Sequence, residues 1–495
     1  MLSAELKQKI DSLWDQFWAN GMADHLNALR HISYLIFMKK LEDNENDRII
    51  ISKKTGEKYE SVFDGNDSMR WSVWKNYTGE KMLSHVRQNV FPFLKQIKSN
   101  GRIRLDLGDS NFEIGSPILL QNAVQVIDDL HISEQNFDTQ GDIYEYILSH
   151  LRTAGLNGQF RTPRHIIKMM VELIDPDVSQ KICDPACGTG GFLINSALHI
   201  LQKYTSEELL ERDKDGNPTR TIGNNLTKKE RKFLLNEQFH GFDYESSMIQ
   251  ISEMNMILHG FKNPNIKYRN SVGKEFSQNE EYDIILANPP FAGNLNKSEI
   301  NEDFSVSTTK TELLFLELFY NKLVKGGKGA VIIPTGVLSR SSKAHVSIKK
   351  LLLDKCQVDG IVYLPSGVFR PYAGVSTAIL FFTKGGKTNK IWLYNMLADG
   401  FSLDDKRTPI KENDIPDILK KFPTKIESKK SIIVSTDLIK TNDYNLSISR
   451  YLDISEPEIE IDVQKVTNDL KNLIKEREKT EKEISSNLKD LGFKV

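Results

Sequence analysis

The sequence predicts an α/β protein, a βα-wound parallel sheet preceded by a helical domain and followed by a helical tail. Three observations carry this. Apolar residues recur at three- and four-residue steps up to about Leu151, strand-sized apolar runs alternate with helical periods from about Gly158, and a heptad sets in beyond Glu456-Pro457. The boundaries drawn from them are residues 1–152 for the helical domain, 153–455 for the α/β domain and 456–495 for the tail.

The first helices are marked by Leu13, Trp14, Phe17 and Trp18, then by Leu26, Leu29, Ile32, Leu35 and Ile36. Lys53-Lys54-Thr55-Gly56 and Asp64-Gly65-Asn66 carry turn signals and read as a surface excursion. The strand-like runs are Lys181-Ile182-Cys183, Phe239 to Phe242, Tyr282 to Ala287, Ala330 to Ile333, Gly360 to Leu364 and Ala378 to Phe382. Between Thr205 and Glu237 the spacing stretches around a turn at Asp215-Gly216-Asn217-Pro218. That stretch reads as a rim insertion, its basic group Lys228, Lys229, Arg231 and Lys232 a solvated helix face. In the tail, Val463, Leu470, Arg477, Ile484 and Leu491 share one seam position, and Val466, Leu473, Thr480 and Asn487 the other. Arg477, Thr480 and Asn487 interrupt that seam. They favour docking on the chain's own domain or on a second subunit's helix over a free homodimeric coiled coil.

With 66 basic against 67 acidic residues the net charge is -1, so the whole-molecule field does not draw the protein onto a polyanion. This argues against a stand-alone DNA coat and leaves room for a local basic surface or for a partner that supplies phosphate contacts. No apolar run approaches the roughly 18 residues of a membrane span. Met1-Leu2-Ser3-Ala4-Glu5 lacks the basic start and apolar stretch of a signal peptide, so a soluble, cytoplasmic protein without a membrane partner is expected. Three cysteines make no disulfide framework, and Cys183 and Cys187 have neither zinc-ribbon spacing nor a second Cys/His pair, so no metal is expected.

Three motifs carry chemistry. Asp184-Pro185-Ala186-Cys187-Gly188-Thr189-Gly190-Gly191-Phe192 follows a strand and opens a helix; small residues let the backbone approach a nucleotide-type ligand, and the strand-end carboxylate can accept hydrogen bonds from it. Leu193 breaks the full dinucleotide fingerprint. Asp243, ending the next strand, can take the two hydroxyls of a ribose; a cap on the following helix is the plainer alternative. Asn288-Pro289-Pro290-Phe291 follows the strand Tyr282 to Ala287. Its prolines remove two backbone donors and leave a rigid ledge of carbonyl acceptors, Asn288 adds a side-chain carbonyl, and Phe291 offers a face for a flipped base. An exocyclic amino group that donates to such acceptors is drawn out of conjugation and becomes more nucleophilic. The polar segment Gly293 to Lys310 is expected to be a mobile loop that orders when DNA enters. Gly386-Lys387-Thr388 lacks the upstream glycine of a phosphate loop, Phe381 standing there, and Cys187 has no catalytic partner and reads as a small loop residue.

Taken in order, Gly158-Gln159-Phe160-Arg161-Thr162-Pro163-Arg164, the glycine-rich loop, Asp243 and Asn288-Pro289-Pro290-Phe291 resemble the DNA amino-methyltransferases that use S-adenosylmethionine. In detail they resemble the modification (M) subunits of type I restriction–modification systems, which methylate adenine N6. The likeness spans nearly the whole chain and includes Leu13 to Glu42, Leu364-Pro365-Ser366-Gly367-Val368-Phe369, Gly374-Val375-Ser376-Thr377 and Asn445-Leu446-Ser447-Ile448-Ser449-Arg450-Tyr451.

The resemblance implies a Rossmann-like S-adenosylmethionine-dependent methyltransferase sheet in a prokaryotic cytoplasmic enzyme. By the family pattern Gln159, Phe160, Arg161, Thr162, Pro163 and Arg164 hold the cofactor together with Ala186, Cys187, Gly188, Thr189 and Gly190. Asp184 lies near its amino-acid end and Asp243 on its ribose. Asn270 stands where the family often has an acidic residue for the cofactor's adenine amino group, and an amide oxygen can also accept that bond. Asn288, Pro289, Pro290 and Phe291 hold the target adenine of double-stranded DNA; adenine N6 rather than cytosine N4 follows from the resemblance alone. A separate specificity (S) subunit reads the sequence, a second M subunit completes a clamp on the DNA, and a restriction (R) subunit is an optional member. Two other readings stay open: a stand-alone adenine methyltransferase, and a non-catalytic scaffold of a DNA-defence complex.

Overall fold

The computed structural model describes residues 3–22, 24–56, 58–97, 103–132, 137–153, 162–212, 218–274, 280–370, 374–453 and 463–490. The chain divides into two compact units, Met1–Tyr451 and Leu452–Val495.

The larger unit begins with helices. Ser3, Asp24 and Ser116 cap the helices Ala4–Ala19, His25–Thr55 and Pro117–Asp129, each side chain accepting a first-turn backbone N–H. Trp14, Phe17, Leu29, Ile32, Leu35 and Ile36 are buried with Trp71 and Trp74, as their spacing requires. Trp18 departs from the pattern: it is 57% exposed and its ring leans on His25. Lys53, Lys54 and Thr55 belong to the last turn of the long helix, which Gly56 closes in the left-handed conformation at φ 75°.

Nine strands form the main sheet: β1 (Ile182–Asp184), β2 (Phe239–Asp243), β3 (Asn265–Tyr268), β4 (Tyr282–Ala287), β5 (Leu323–Pro334), β6 (Cys356–Tyr363), β7 (Thr377–Lys384), β8 (Lys390–Asn395) and β9 (Ser431–Ser435). Their order is β9-β8-β6-β7-β5-β4-β1-β2-β3. The pairs from β3 to β5 are all parallel, in keeping with the wound sheet expected. β7 runs antiparallel to both β5 and β6, and β9 antiparallel to β8. A parallel return needs a crossover of a dozen or more residues, usually a helix, and none of the described residues between Tyr363 and Thr377 is helical.

Helix Ser246–Leu258 joins the two halves of this unit. All but its first residue are buried, because Met248, Ile251, Met254, Ile257 and Leu258 enter the core of the amino-terminal helices while Ile249 and Met256 face the core of the sheet. Packed against a core on both sides, it has no solvent face to offer, although Ser247, Gln250, Ser252, Glu253 and Asn255 are polar. Before β2, the rim carries the hairpin Glu211–Arg212 with Pro218–Arg220, then helix Lys228–Asn236, started by a capping box of Thr227 and Glu230. Arg231 is held by the carbonyls of Ile222 and Gly223, and Lys228, Lys229 and Lys232 are exposed.

Among the described residues of the smaller unit is helix Val463–Asp490. It leaves Leu470, Leu473, Ile474 and Ile484 between 40% and 62% exposed. No helix among the described residues is long and apolar enough to cross a membrane.

Candidate active site

The chain order of the strands reverses at β1, whose neighbours are β2 and β4. In an open α/β sheet the crevice beyond the carboxyl ends of the strands at such a point is where a ligand is taken. A cavity of about 420 Å³ lies there, lined by Asp184, Ala186, Cys187, Gly188 and Thr189 after β1, by Asp243 at the end of β2, by Asn270 after β3, by Asn288 and Pro290 after β4, and by Thr162 and Arg164. Eleven of the expected site residues thus meet in one space of small-ligand size. Gln159, Phe160 and Arg161 lie outside the described residues. Pro163, which precedes helix Arg164–Ile174, and Gly190, Pro289 and Phe291 do not line it.

The loop after β1 is held by backbone bonds. Cys187 N donates to Phe242 O at 2.9 Å and Gly190 N to Cys187 O at 2.8 Å. Gly188 and Gly190 sit at φ 51° and 77°, and a Cβ on Gly190 would come within 2.7 Å of Ser252 Oγ. A side chain there meets strain and a collision together. Helix Gly191–Lys203 starts at this point with no side-chain cap, so its first N–H groups remain available to a ligand. Ser271 Oγ donates to Pro185 O at 2.6 Å and ties the segment after β3 to the same loop.

Asp184 is 1% exposed and accepts Ala186 N–H at 3.1 Å; burial pushes its carboxyl well above the usual carboxylate range. Asp243 accepts Gly188 N–H at 2.9 Å through one oxygen and Glu245 N–H at 3.0 Å through the other. Burial raises its carboxyl, and these N–H groups pull the other way. The following helix has Glu245 as its N-cap residue without a side-chain bond, so Asp243 fastens the glycine loop rather than capping that helix. Burial also drives the Cys187 thiol well above its ordinary value, which suits an inert loop residue. The side-chain oxygen of Asn270 accepts Val272 N–H at 3.3 Å.

Asn288 Nδ2 donates to Thr162 Oγ1 at 3.0 Å, and its Oδ1 is buried with no hydrogen-bond partner among the described residues. Buried acceptors are rarely left so, and an exocyclic amino group would satisfy this one. Pro289 is buried and Pro290 exposed. Phe291 is 7% exposed and packs edge-on against Phe369, ring centroids 5.6 Å apart, bracing the turn from within.

The segment Gly293 to Lys310 is held by hydrogen bonds within itself and to its neighbours. Leu295 N donates to Thr309 O and Thr311 N to Gly293 O, while Asn301 N reaches Val272 O. The buried Glu317 accepts Ser305 N–H at 2.6 Å and Val306 N–H at 3.0 Å. A buried carboxylate with several donors fixes a loop that its polar composition alone would leave free. Leu295 and Glu299 of this segment line the cavity, as do Glu145 of helix Phe137–Thr153 and Tyr244, whose ring stacks on Tyr268 at 5.3 Å. None of these was legible in a motif; only Tyr244, directly after the strand-end Asp243, stood beside one.

A family model for N-6 DNA methylases matches residues 135–460, and one for the HsdM N-terminal domain matches residues 6–127. The chain is 30% identical over 475 residues to the type I restriction enzyme EcoEI methylase subunit of Escherichia coli, covering 90% of each chain. To the EcoKI methylase subunit of Escherichia coli K12 it is 27% identical over 435 residues, 84% of this chain and 74% of that one. Among solved structures, a modification subunit from Vibrio vulnificus YJ016 superposes with a TM-score of 0.72 at 25% identity, over 89% of this chain and 94% of that one. A methyltransferase sheet, a site at its switch point and likeness over nearly the full length agree: the chain belongs to the methylase subunits of type I restriction enzymes and is an adenine-specific DNA methyltransferase of a restriction–modification system.

Proposed function

We propose that this chain transfers a methyl group from S-adenosylmethionine to N6 of an adenine flipped out of duplex DNA, within a complex whose separate specificity subunit chooses the sequence. The unpartnered Asn288 Oδ1 carries the reading: a buried acceptor at a strand end, beside a cavity built around a glycine loop. The residues present fit the cofactor, since Gly188 presents no side chain where the loop lines the cavity and Asp184 and Asp243 supply carboxyl groups along it. Thr162, Arg164 and Ala186 to Gly190 would hold it, with Asp184 toward its amino-acid end, Asp243 on its ribose and Asn270 toward its adenine. When bound, S-adenosylmethionine supplies an electrophilic methyl group on a sulfonium.

Asn288 Oδ1 and the Pro289 carbonyl accept the two hydrogens of the adenine amino group and turn its lone pair out of the ring's π system. Pro290 and Phe291 keep that ledge rigid. A stacked base cannot present its amino group to such acceptors, so the base is unstacked first. The chain contributes position and preorganised acceptors in a water-poor site, and needs no covalent intermediate. The near-zero net charge and the exposed apolar residues of helix Val463–Asp490 support a partner that reads the DNA and receives this helix. A second copy of the chain joins the assembly, and a restriction subunit is an optional further member.

Nucleoside mass spectrometry on DNA incubated with S-adenosylmethionine tests this. N6-methyladenine only when a specificity subunit is co-expressed supports the proposal. Methylation by the chain alone makes it self-sufficient, and no methylated base in either case leaves a scaffold.

A further inference from the structure

We propose that Glu145, from the amino-terminal helices, receives the α-ammonium group of the cofactor's amino-acid end, so that the helical region completes the cofactor site. The inference rests on the cofactor reading above.

Glu145 lines the cavity from helix Phe137–Thr153, outside the sheet. Its Oε1 accepts Asn255 Nδ2 at 3.1 Å, and the same Nδ2 donates to Thr189 O at 2.9 Å. Asn255 is 0% exposed, so this bridge fixes the Glu145 carboxylate against the glycine loop on the side where helix Gly191–Lys203 begins. Asp243 accepts the neighbouring Gly188 N–H directly, whereas Glu145 is linked to Thr189 through Asn255.

The approach is built in. One turn before Glu145, a Cβ on Gly141 would fall 2.2 Å from Nε2 of His259, the residue after helix Ser246–Leu258, so any side chain there would have to displace that ring. Asp142 pairs with Arg164 at 3.0 Å and ties the same turn to helix Arg164–Ile174. A zwitterionic amino-acid end needs an anionic acceptor for its ammonium and donors for its carboxylate. Glu145 supplies the first, and Arg164 and Thr162 stand on the same cavity as donors. Asp184 is less suited, being 1% exposed and engaged with Ala186 N–H.

Two ligands separate this role from a structural one. S-adenosylhomocysteine carries the amino-acid end, and 5′-methylthioadenosine lacks it. By titration calorimetry on the full chain, Glu145→Gln should weaken S-adenosylhomocysteine about tenfold or more, the scale of one charge-assisted hydrogen bond, and leave 5′-methylthioadenosine unchanged. Glu145→Asp keeps the charge on a shorter arm and should fall between, which covers a Gln variant that does not fold. Equal losses for both ligands, or none for either, overturn the proposal. If the unmodified chain binds no S-adenosylhomocysteine, the cofactor reading itself fails, and this inference with it.

Discussion

Asn288 and Thr162 stand 126 residues apart and meet in one hydrogen bond, the amide Nδ2 donating to the threonine Oγ1 at 3.0 Å. That bond decides which way the amide faces. Its Oδ1 is left as a buried acceptor with no partner among the described residues, at the end of β4 where the cavity opens.

Replacing Asn288 by Ala removes that acceptor and leaves the glycine loop untouched. The methylation rate should fall about 100-fold or more, by comparison with the loss of one preorganised transition-state contact in other enzymes. S-adenosylhomocysteine affinity should stay within about twofold. Single-turnover methylation and calorimetry check the two halves separately, and a variant that methylates normally sinks the assignment.

Thr162→Val deletes the hydroxyl that orients the amide while keeping the shape. The rate should drop by about tenfold, the worth of one net hydrogen bond, and Thr162→Ser should restore it. Equal rates for Val and Ser would mean that the bond orients nothing.

Gly190→Ala puts a methyl group into a left-handed backbone position and 2.7 Å from Ser252 Oγ. A destabilisation of about 1–3 kcal/mol follows from the backbone alone, and cofactor affinity should fall with it. Urea unfolding with and without S-adenosylhomocysteine measures both; an unchanged midpoint would show that the loop relaxes freely.

Glu253, on the helix shared by the two cores, is buried and accepts Asp106 N–H at 2.7 Å. Burial pushes its carboxyl up to about 8 from an ordinary 4.5, against the pull of that N–H. The folded chain therefore holds this proton more tightly than the unfolded chain. Its stabilising contribution is full below the unfolded value and is lost as pH rises towards about 8. Glu253→Gln should gain stability relative to the parent across that window, by at most roughly 1.4 kcal/mol per pH unit. Urea midpoints at several pH values test it, and a constant difference between the two proteins counts against it.

The exposed Leu470, Leu473 and Ile474 lie on the helix of the smaller unit. Changing all three to Glu, or deleting the residues after Glu456, should abolish co-purification with the specificity subunit. The thermal unfolding of the larger unit should not move. Retained co-purification would place the docking surface elsewhere.

Much of the site was legible because its chemistry is local. Asp184, the glycine loop, Asp243 and Asn288-Pro289-Pro290 each sit at or just after the end of a strand, and a parallel sheet must bring such ends to one edge. The strands themselves were less evenly legible. The apolar runs of β1, β2 and β4 announce buried strands, whereas β3, at the sheet edge, presents Asn265, Lys267 and Tyr268 to partial or full solvent and carries no apolar run. Trp18 fell on an apolar helical face and is exposed, since periodicity names a face without saying how far its cover extends.

By itself, then, the sequence determined the α/β class, the order of the motifs and the chemistry available at each strand end, because these depend on residues within a few positions of one another. The tertiary structure alone decided which partner each group meets: Thr162 for Asn288, Asn255 for Glu145, the donors of Ser305 and Val306 for Glu317, and Phe369 for Phe291. It also decided that β7 runs against its neighbours. The reason is physical. A short-range pattern is set by backbone geometry and the periodicity of burial, whereas a contact between distant residues depends on how helices and loops pack against the sheet, which no local spacing encodes.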